Sequence, residues 1–290
     1  MKRLPSWPTR QRGVALLLVL WACTLLAILL GGYAALARTE GLQARYQFAE
    51  THAHYAAEAG LMFAFYKLQD SQPRNRWIGD GEVYTFHYDD ATVKVSAVNE
   101  GGKVDLNAAT PEVLLGLFKA AGMDGLQAQA LASSVVDWRS AADPSSGTVG
   151  ANPAYRAAGR DYGPRHGPFA SIEELQMVLG MTPALYKKVA PVVTVWSGNQ
   201  TPDPNNAPPL ALAAIPGMTP QQQNAIQAAR LIHASDPSLV LNNGTTHSIE
   251  SEATLADGTS ATVRATIRAQ PGQAGAQPYA VLRWQEGKAE

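Results

Sequence analysis

From Val14 to Ala37 the chain runs 24 residues without a charged side chain. A run that long and apolar is enough to cross the hydrocarbon core of a bilayer as a helix. Lys2, Arg3, Arg10 and Arg12 stand in front of it, and Arg38 is the first charge behind it. A basic flank stays on the cytoplasmic side, so this order places the C-terminal bulk across the membrane. Ala34, Ala35 and Ala37 imitate a signal-peptide cleavage site. The run nevertheless exceeds the roughly 7–15 apolar residues of a signal peptide. The helical pattern also continues without interruption. Residues 38–69 contain no proline, and Leu42, Tyr46, Ala49, Ala53, Ala57, Leu61, Phe65 and Leu68 recur at spacings of three and four. That is one face of a helix. Val14 to Gln69 is therefore expected to form one rod about 80 Å long at ~1.5 Å per residue, with Gly31-Gly32 its weak point.

The remaining chain has the length for one large or two ordinary domains. Formal net charge is -1, but residues 1–13 carry four basic groups and no acid. Without them 19 Lys and Arg face 24 Asp and Glu, a balance of -5. That excess does not suit a protein that grips nucleic-acid backbones by bulk charge. The sole cysteine, Cys23, lies inside the apolar run, so the exported part must be held by packing rather than by a disulfide.

Residues 69–81 (QDSQPRNRWIGDG) are polar, with Pro73 and two glycines, and end the long helix. Two alternating segments follow between Val83 and Val98, with Asp89-Asp90 as their turn. Further strands are expected only near the other end, at His247–Leu255, Ser260–Ala269 and Tyr279–Trp284. The stretch between the two strand groups reads as an inserted helical domain. Within it NAATPEVLLGL from Asn107 aligns with NNAPPLALAAI from Asn205, pairing Ala109 with Ala207, Pro111 with Pro209, Leu114 with Leu212 and Leu117 with Ile215. Gly122, Gly180 and Gly217 each precede Met and then Asp or Thr. Glycine closes one helix in a left-handed cap, and the Asp or Thr starts the next. Asp124/Gln127, Ser171/Glu174 and Thr219/Gln222 have capping-box spacing. These are helical hairpins.

A short basic leader ending in Gly13, a hydrophobic helix directly after it and an amphipathic extension resemble the N-terminus of type IV pilins and type II secretion pseudopilins. The resemblance implies cleavage by a prepilin peptidase between Gly13 and Val14, followed by methylation of the new N-terminus. Most members carry Glu as the fifth mature residue, where this chain has Leu18. An acid in a membrane costs ~2.5–3.5 kcal/mol on insertion scales and is kept for a function. In the family that function is thought to be neutralising the N-terminal amine of the subunit already in the filament. The K-type minor pseudopilin is the member that lacks it, and Leu18 narrows the resemblance to that type.

The duplicated N-x-A-x-P-x-x-L opening is similar to that type too. So are Asp137-Trp138 and the block His166-Gly167-Pro168-Phe169, Ser171, Glu174-Leu175, Val178, Gly180-Met181. The family's acid-rich middle binds calcium, which implies ligands at Asp137, Asp143 and Asn152. Ser140 and Asn152-Pro153 replace expected acids, so loss of the site, with the loop held by Trp138, Tyr155, Tyr162 and Phe169, is the competing expectation. Calcium is the one cofactor implied.

The fold implied is α+β. It comprises a leader (1–13), a transmembrane helix (14–37), a first pilin-like part (38–100), an inserted helical domain (101–240) and a second pilin-like part (241–290). The implied role is to cap the tip of a periplasmic pseudopilus with I- and J-type partners and to support export of folded proteins across the outer membrane, with the H-type minor pseudopilin, the inner-membrane secretion platform and the prepilin peptidase as further partners. A membrane-anchored hairpin DNA receptor and a minor pilin of a type IV pilus are the alternatives. Against the receptor, residues 101–235 hold nine Lys and Arg against nine Asp and Glu, with only Lys187-Lys188 near a hairpin. No nucleophile elbow, zinc motif or phosphate loop occurs in a suitable context, and no enzyme is expected.

Overall fold

The computed structural model describes residues 12–141, 153–235, 245–270 and 278–287. Helix α1 spans Arg12–Leu68 without interruption. Its large apolar side chains from Val14 to Leu36 are all exposed, and the span is long and apolar enough to cross a membrane. The Thr24 hydroxyl, one of the few polar groups in this stretch, donates to the Trp21 carbonyl at 2.8 Å and so needs no external partner.

The apolar face expected along 42–68 is used in two ways. Its upper half, Ala53, Ala57, Leu61, Phe65 and Leu68, is buried against a sheet, whereas Leu42 and Tyr46 below remain exposed. The sheet contains β1 (Asp80–Tyr88), β2 (Ala91–Asn99), β5 (Thr246–Thr254), β6 (Ser260–Ala269) and β7 (Tyr279–Glu286), all antiparallel, in the order β1-β2-β5-β6-β7. Val93, Val95, Ala97, Ile249, Ala253, Val263, Ala265 and Ile267 point at α1 and form one core with it. Gly60 lets helix and sheet approach closely, since a Cβ there would overlap Val93 and Ser251. The fold is thus α+β, a long apolar helix on an antiparallel sheet.

The 146 residues between Asn99 and Thr246 leave and re-enter between neighbouring strands, with Asn99 opposite His247. They build a second core of their own. Its helices are α2 (Pro111–Ala120), α3 (Gly125–Arg139), α4 (Pro153–Ala157), α5 (Pro183–Val189), α6 (Pro209–Ala213) and α7 (Pro220–Ser235). Two strands that the sequence reading missed, β3 (Val104–Asp105) and β4 (Val193–Thr194), pair in parallel. Two residues are too few to display a period, so no sequence pattern announces them.

The insertion sits at the end of the sheet farthest from the apolar N-terminal half of α1. The β1–β2 turn carries Asp89 and Asp90, which lie 3.5 and 3.6 Å from His52 low on α1. The nine residues of β2 then climb about 27–30 Å at ~3.3 Å each. Their far end lies beside the end of α1, where Trp77 N–H donates to the Lys67 carbonyl and Asn99 N–H to the Gly79 carbonyl. Polar ties then fix the insertion on the sheet. Buried Glu100 accepts from Lys103 and from the Ser248 hydroxyl, both at 2.6 Å. Arg268 donates to the Trp196 carbonyl at 2.6 Å, and Arg283 of β7 reaches Glu173 at 3.2 Å.

Candidate functional site: a duplicated helical head on an apolar rod

The repeat visible in the sequence is also a repeat of structure. In the first copy the Asp105 carboxylate accepts from the backbone N–H groups of Asn107 and Ala108 at 2.8 and 3.2 Å. In the second, Asp203 accepts from Asn205 N–H at 3.0 Å. Such Asx turns shape the loop ahead of each helix. An arginine from the far helix then staples that loop. Arg139 donates to the carbonyls of Leu106 and Ala109, and Arg230 donates to those of Pro204 and Ala207. The acceptors stand at the same spacing in both copies.

Burial pulls both arginine pKa values down, while Asp105 and Asp203 respectively push them back up. Arginine stays charged throughout, so the ionic support is permanent. None of Asp105, Asp203, Arg139 and Arg230 stood out in the sequence alone. Asp105 and Asp203 lie two residues ahead of the aligned asparagines and extend the repeat, which is the signal that could have found them. The copies meet at Gly116 on α2, where a Cβ would overlap the Ala214 carbonyl just after α6.

Each hairpin glycine is left-handed: Gly122 at φ +100°, Gly180 at +92° and Gly217 at +75°. Asp124 then accepts from Leu126 and Gln127 N–H, both at 3.0 Å, and Thr182 accepts from Leu185 N–H at 3.2 Å. Thr219 and Gln222 exchange bonds reciprocally, as a capping box does. The Ser171/Glu174 pair does not. Ser171 makes no side-chain cap, its helix is a short 3₁₀ segment (Ile172–Met177), and Glu174 turns to Arg165 and the Ala170 N–H instead. The guanidinium offers a stronger partner than a backbone amide.

Trp138, Tyr155, Tyr162 and Phe169 form one aromatic cluster, with ring centroids 5.9–6.4 Å apart between neighbours. Asn107 grips the same segment from the other side. Its amide donates to the Phe169 carbonyl at 3.0 Å and accepts from Phe169 N–H at 2.7 Å. His166 sits in this loop at φ +54° with its Nδ1 3.3 Å from the Ser140 carbonyl, a structural contact.

Of the calcium ligands implied by resemblance, Asp137 is exposed on the last turn of α3, whereas Asp143 and Asn152 lie outside the described residues. Ser140, which stands where an acid was expected, spends its hydroxyl on the Val136 carbonyl at 2.6 Å. Calcium asks for six to eight oxygens. Among the described residues of that set, Asp137 alone supplies a carboxylate, at most two of those oxygens.

Among the described residues one other cluster has metal-ligand chemistry, His52 with Asp89 and Asp90. Its two ring nitrogens face different carboxylates, Nε2 toward Asp89 and Nδ1 toward Asp90. That arrangement ties α1 to the hairpin turn, with both carboxylates exposed. His54 faces Glu286 on β7 instead, so the two histidines do not act together.

Gly13 and Val14 lie in the first turns of α1, and Leu18, 66% exposed, projects from the apolar rod. Lys188 of the Lys187-Lys188 pair is engaged internally, donating to the Ala121 carbonyl at 3.3 Å. With Asp124, Thr182 or Thr219 rather than glycine at the second hairpin position, these turns are not shaped for phosphates.

Comparison with known proteins adds three likenesses. Residues 94–198 match the family described as type II secretion system (T2SS), protein K. Over 251 residues the chain is 26% identical to the type II secretion system protein K of Klebsiella pneumoniae, covering 78% of this chain and 75% of that one. In shape it resembles a chain of the GspK–GspI–GspJ complex from the enterotoxigenic Escherichia coli type 2 secretion system. The TM-score is 0.56 at 18% identity, covering 87% of this chain and all of that one.

Proposed function

We infer that the chain belongs to the K-type minor pseudopilins of type II secretion systems and serves in the export of folded proteins across the outer membrane. The observation that carries its particular role is the placement of the insertion. On this reading the filament is built from similar apolar rods laid side by side, and this chain brings one such rod with a sheet packed on its upper half. Here 146 extra residues emerge from the membrane-distal ends of β2 and β5, where the head of the next subunit up would sit. The rod assembles and the insertion restricts it to the tip. Leu18 agrees with that position, because a subunit that enters first meets no neighbouring amine to neutralise.

On this reading the rod crosses the inner membrane once, its basic leader cytoplasmic and its head periplasmic. I- and J-type subunits pack against the exposed lower half of α1. The H-type subunit and the inner-membrane platform are the chain's further partners on this reading. GspI and GspJ, which accompany the structurally similar chain in its complex, support this choice.

Because β2 and β5 are paired antiparallel neighbours, Asn99 and Thr246 can be joined by a short turn in place of the insertion. The full-length chain so altered should still enter the membrane and bind its partners, but should no longer be confined to filament ends when imaged by labelled-subunit electron microscopy. Exclusive end labelling by the altered chain would refute the capping role. Processing is checked by intact mass. Co-expression with a prepilin peptidase should remove residues 1–13 from the wild-type chain, and Gly13→Ala should leave the longer precursor. Equal masses for the two would reject the cleavage position.

A further inference from the structure

The two copies of the repeat differ in one respect that the tip-capping role does not use. In the first copy the Asn107 amide is fully occupied by a peptide group of the chain's own Phe169. In the second, Asn205 occupies the matching place at the same distance from its Asx-turn aspartate, its stapled loop and its helix-opening proline. Its side chain is exposed, and among the described residues its amide has no hydrogen-bond partner. Where Trp138 precedes Arg139, the small and exposed Ala229 precedes Arg230, with exposed Ala225 and half-buried Ile226 one turn before it.

We propose that the second repeat is a docking site for an extended, uncharged segment of a neighbouring pseudopilin subunit, which Asn205 grips by a main-chain N–H and C=O as Asn107 grips Phe169. The proposal rests on the reading of this chain as an assembling pseudopilin. The occupant's chemistry follows from the site. The twin copy shows what such a loop binds, an extended peptide with a bulky side chain laid on the helix behind it. Electrostatics restrict it further. Between Gly198 and Ser235 the only charged side chains are Asp203 and Arg230, and these act on each other. A neutral face offers nothing to a charged segment and penalises its desolvation. Two neutral hydrogen bonds give modest affinity alone. A subunit already held through its membrane rod supplies its segment at high effective concentration, so modest affinity suffices.

The test uses the full-length chain in detergent micelles with full-length I- and J-type subunits from the same secretion system. Asn205→Ala should weaken capture of the pair by about tenfold, the worth of two neutral hydrogen bonds, and leave the melting midpoint unchanged. A photo-reactive residue in place of Asn205 should cross-link to a partner segment. Unchanged capture, or cross-links only within the chain itself, overturns the proposal while leaving the assembly role standing. If the wild-type chain captures neither partner, the assembly role fails and the docking site falls with it.

Discussion

The first and second repeats share their local grammar and differ in what lies over them. Both have an Asx-turn aspartate, a proline opening the first helix, a left-handed glycine, a capped second helix and an arginine staple. In the first repeat α3 buries Ala128, Leu131, Ala132, Val135 and Trp138. In the second no α7 side chain between Pro220 and Arg230 is buried, and glutamines and alanines dominate it. The difference teaches that hairpin grammar builds a helical pair without deciding whether the pair becomes core. Burial comes from the segment after the first repeat, which folds back through Tyr155, Phe169, Leu175, Val178 and Val189.

That contrast can be broken by substitution. Phe169→Ala removes the ring seated on Trp138, and should destabilise the helical domain by about 3–5 kcal/mol. In the open copy, where no residue takes the place of Phe169, Ile226→Ala should cost only about 1 kcal/mol, since Ile226 is partly exposed. Thermal unfolding of the full-length chain in micelles checks both, and equal losses would mean the second copy is as tightly sealed as the first. An effect between these two is expected where the copies meet. Gly116→Ala places a methyl group against the Ala214 carbonyl and should cost about 1–3 kcal/mol. Hydrogen exchange should then rise in α2 and α6 together. Faster exchange in one copy alone would show that they do not share that contact.

Much of this was legible in the chain itself. The rod was readable because apolarity sustained over 24 residues has few physical solutions. The strands at 91–99, 246–254 and 260–269 were readable because alternation marks a sheet with one covered face. Gly122 and Gly217 announced their turns because a left-handed residue strongly favours glycine. The capping box expected at Ser171 failed because Arg165, six residues upstream, competes for the Glu174 carboxylate. Spacing cannot report such a competitor.

By itself, then, the sequence determined the elements whose causes are local: the membrane rod, the alternating strands, the punctuated hairpins and the doubled opening motif. Tertiary structure alone decided that the insertion rises from the end of the sheet farthest from the apolar rod, that Arg139 and Arg230 staple equivalent loops, and that Asn107 is occupied while Asn205 is open. The physical reason is reach. Periodicity and capping act within a few residues, whereas Asn107 meets Phe169 across 62 residues, and Gly116 meets Ala214 across a still longer stretch of chain.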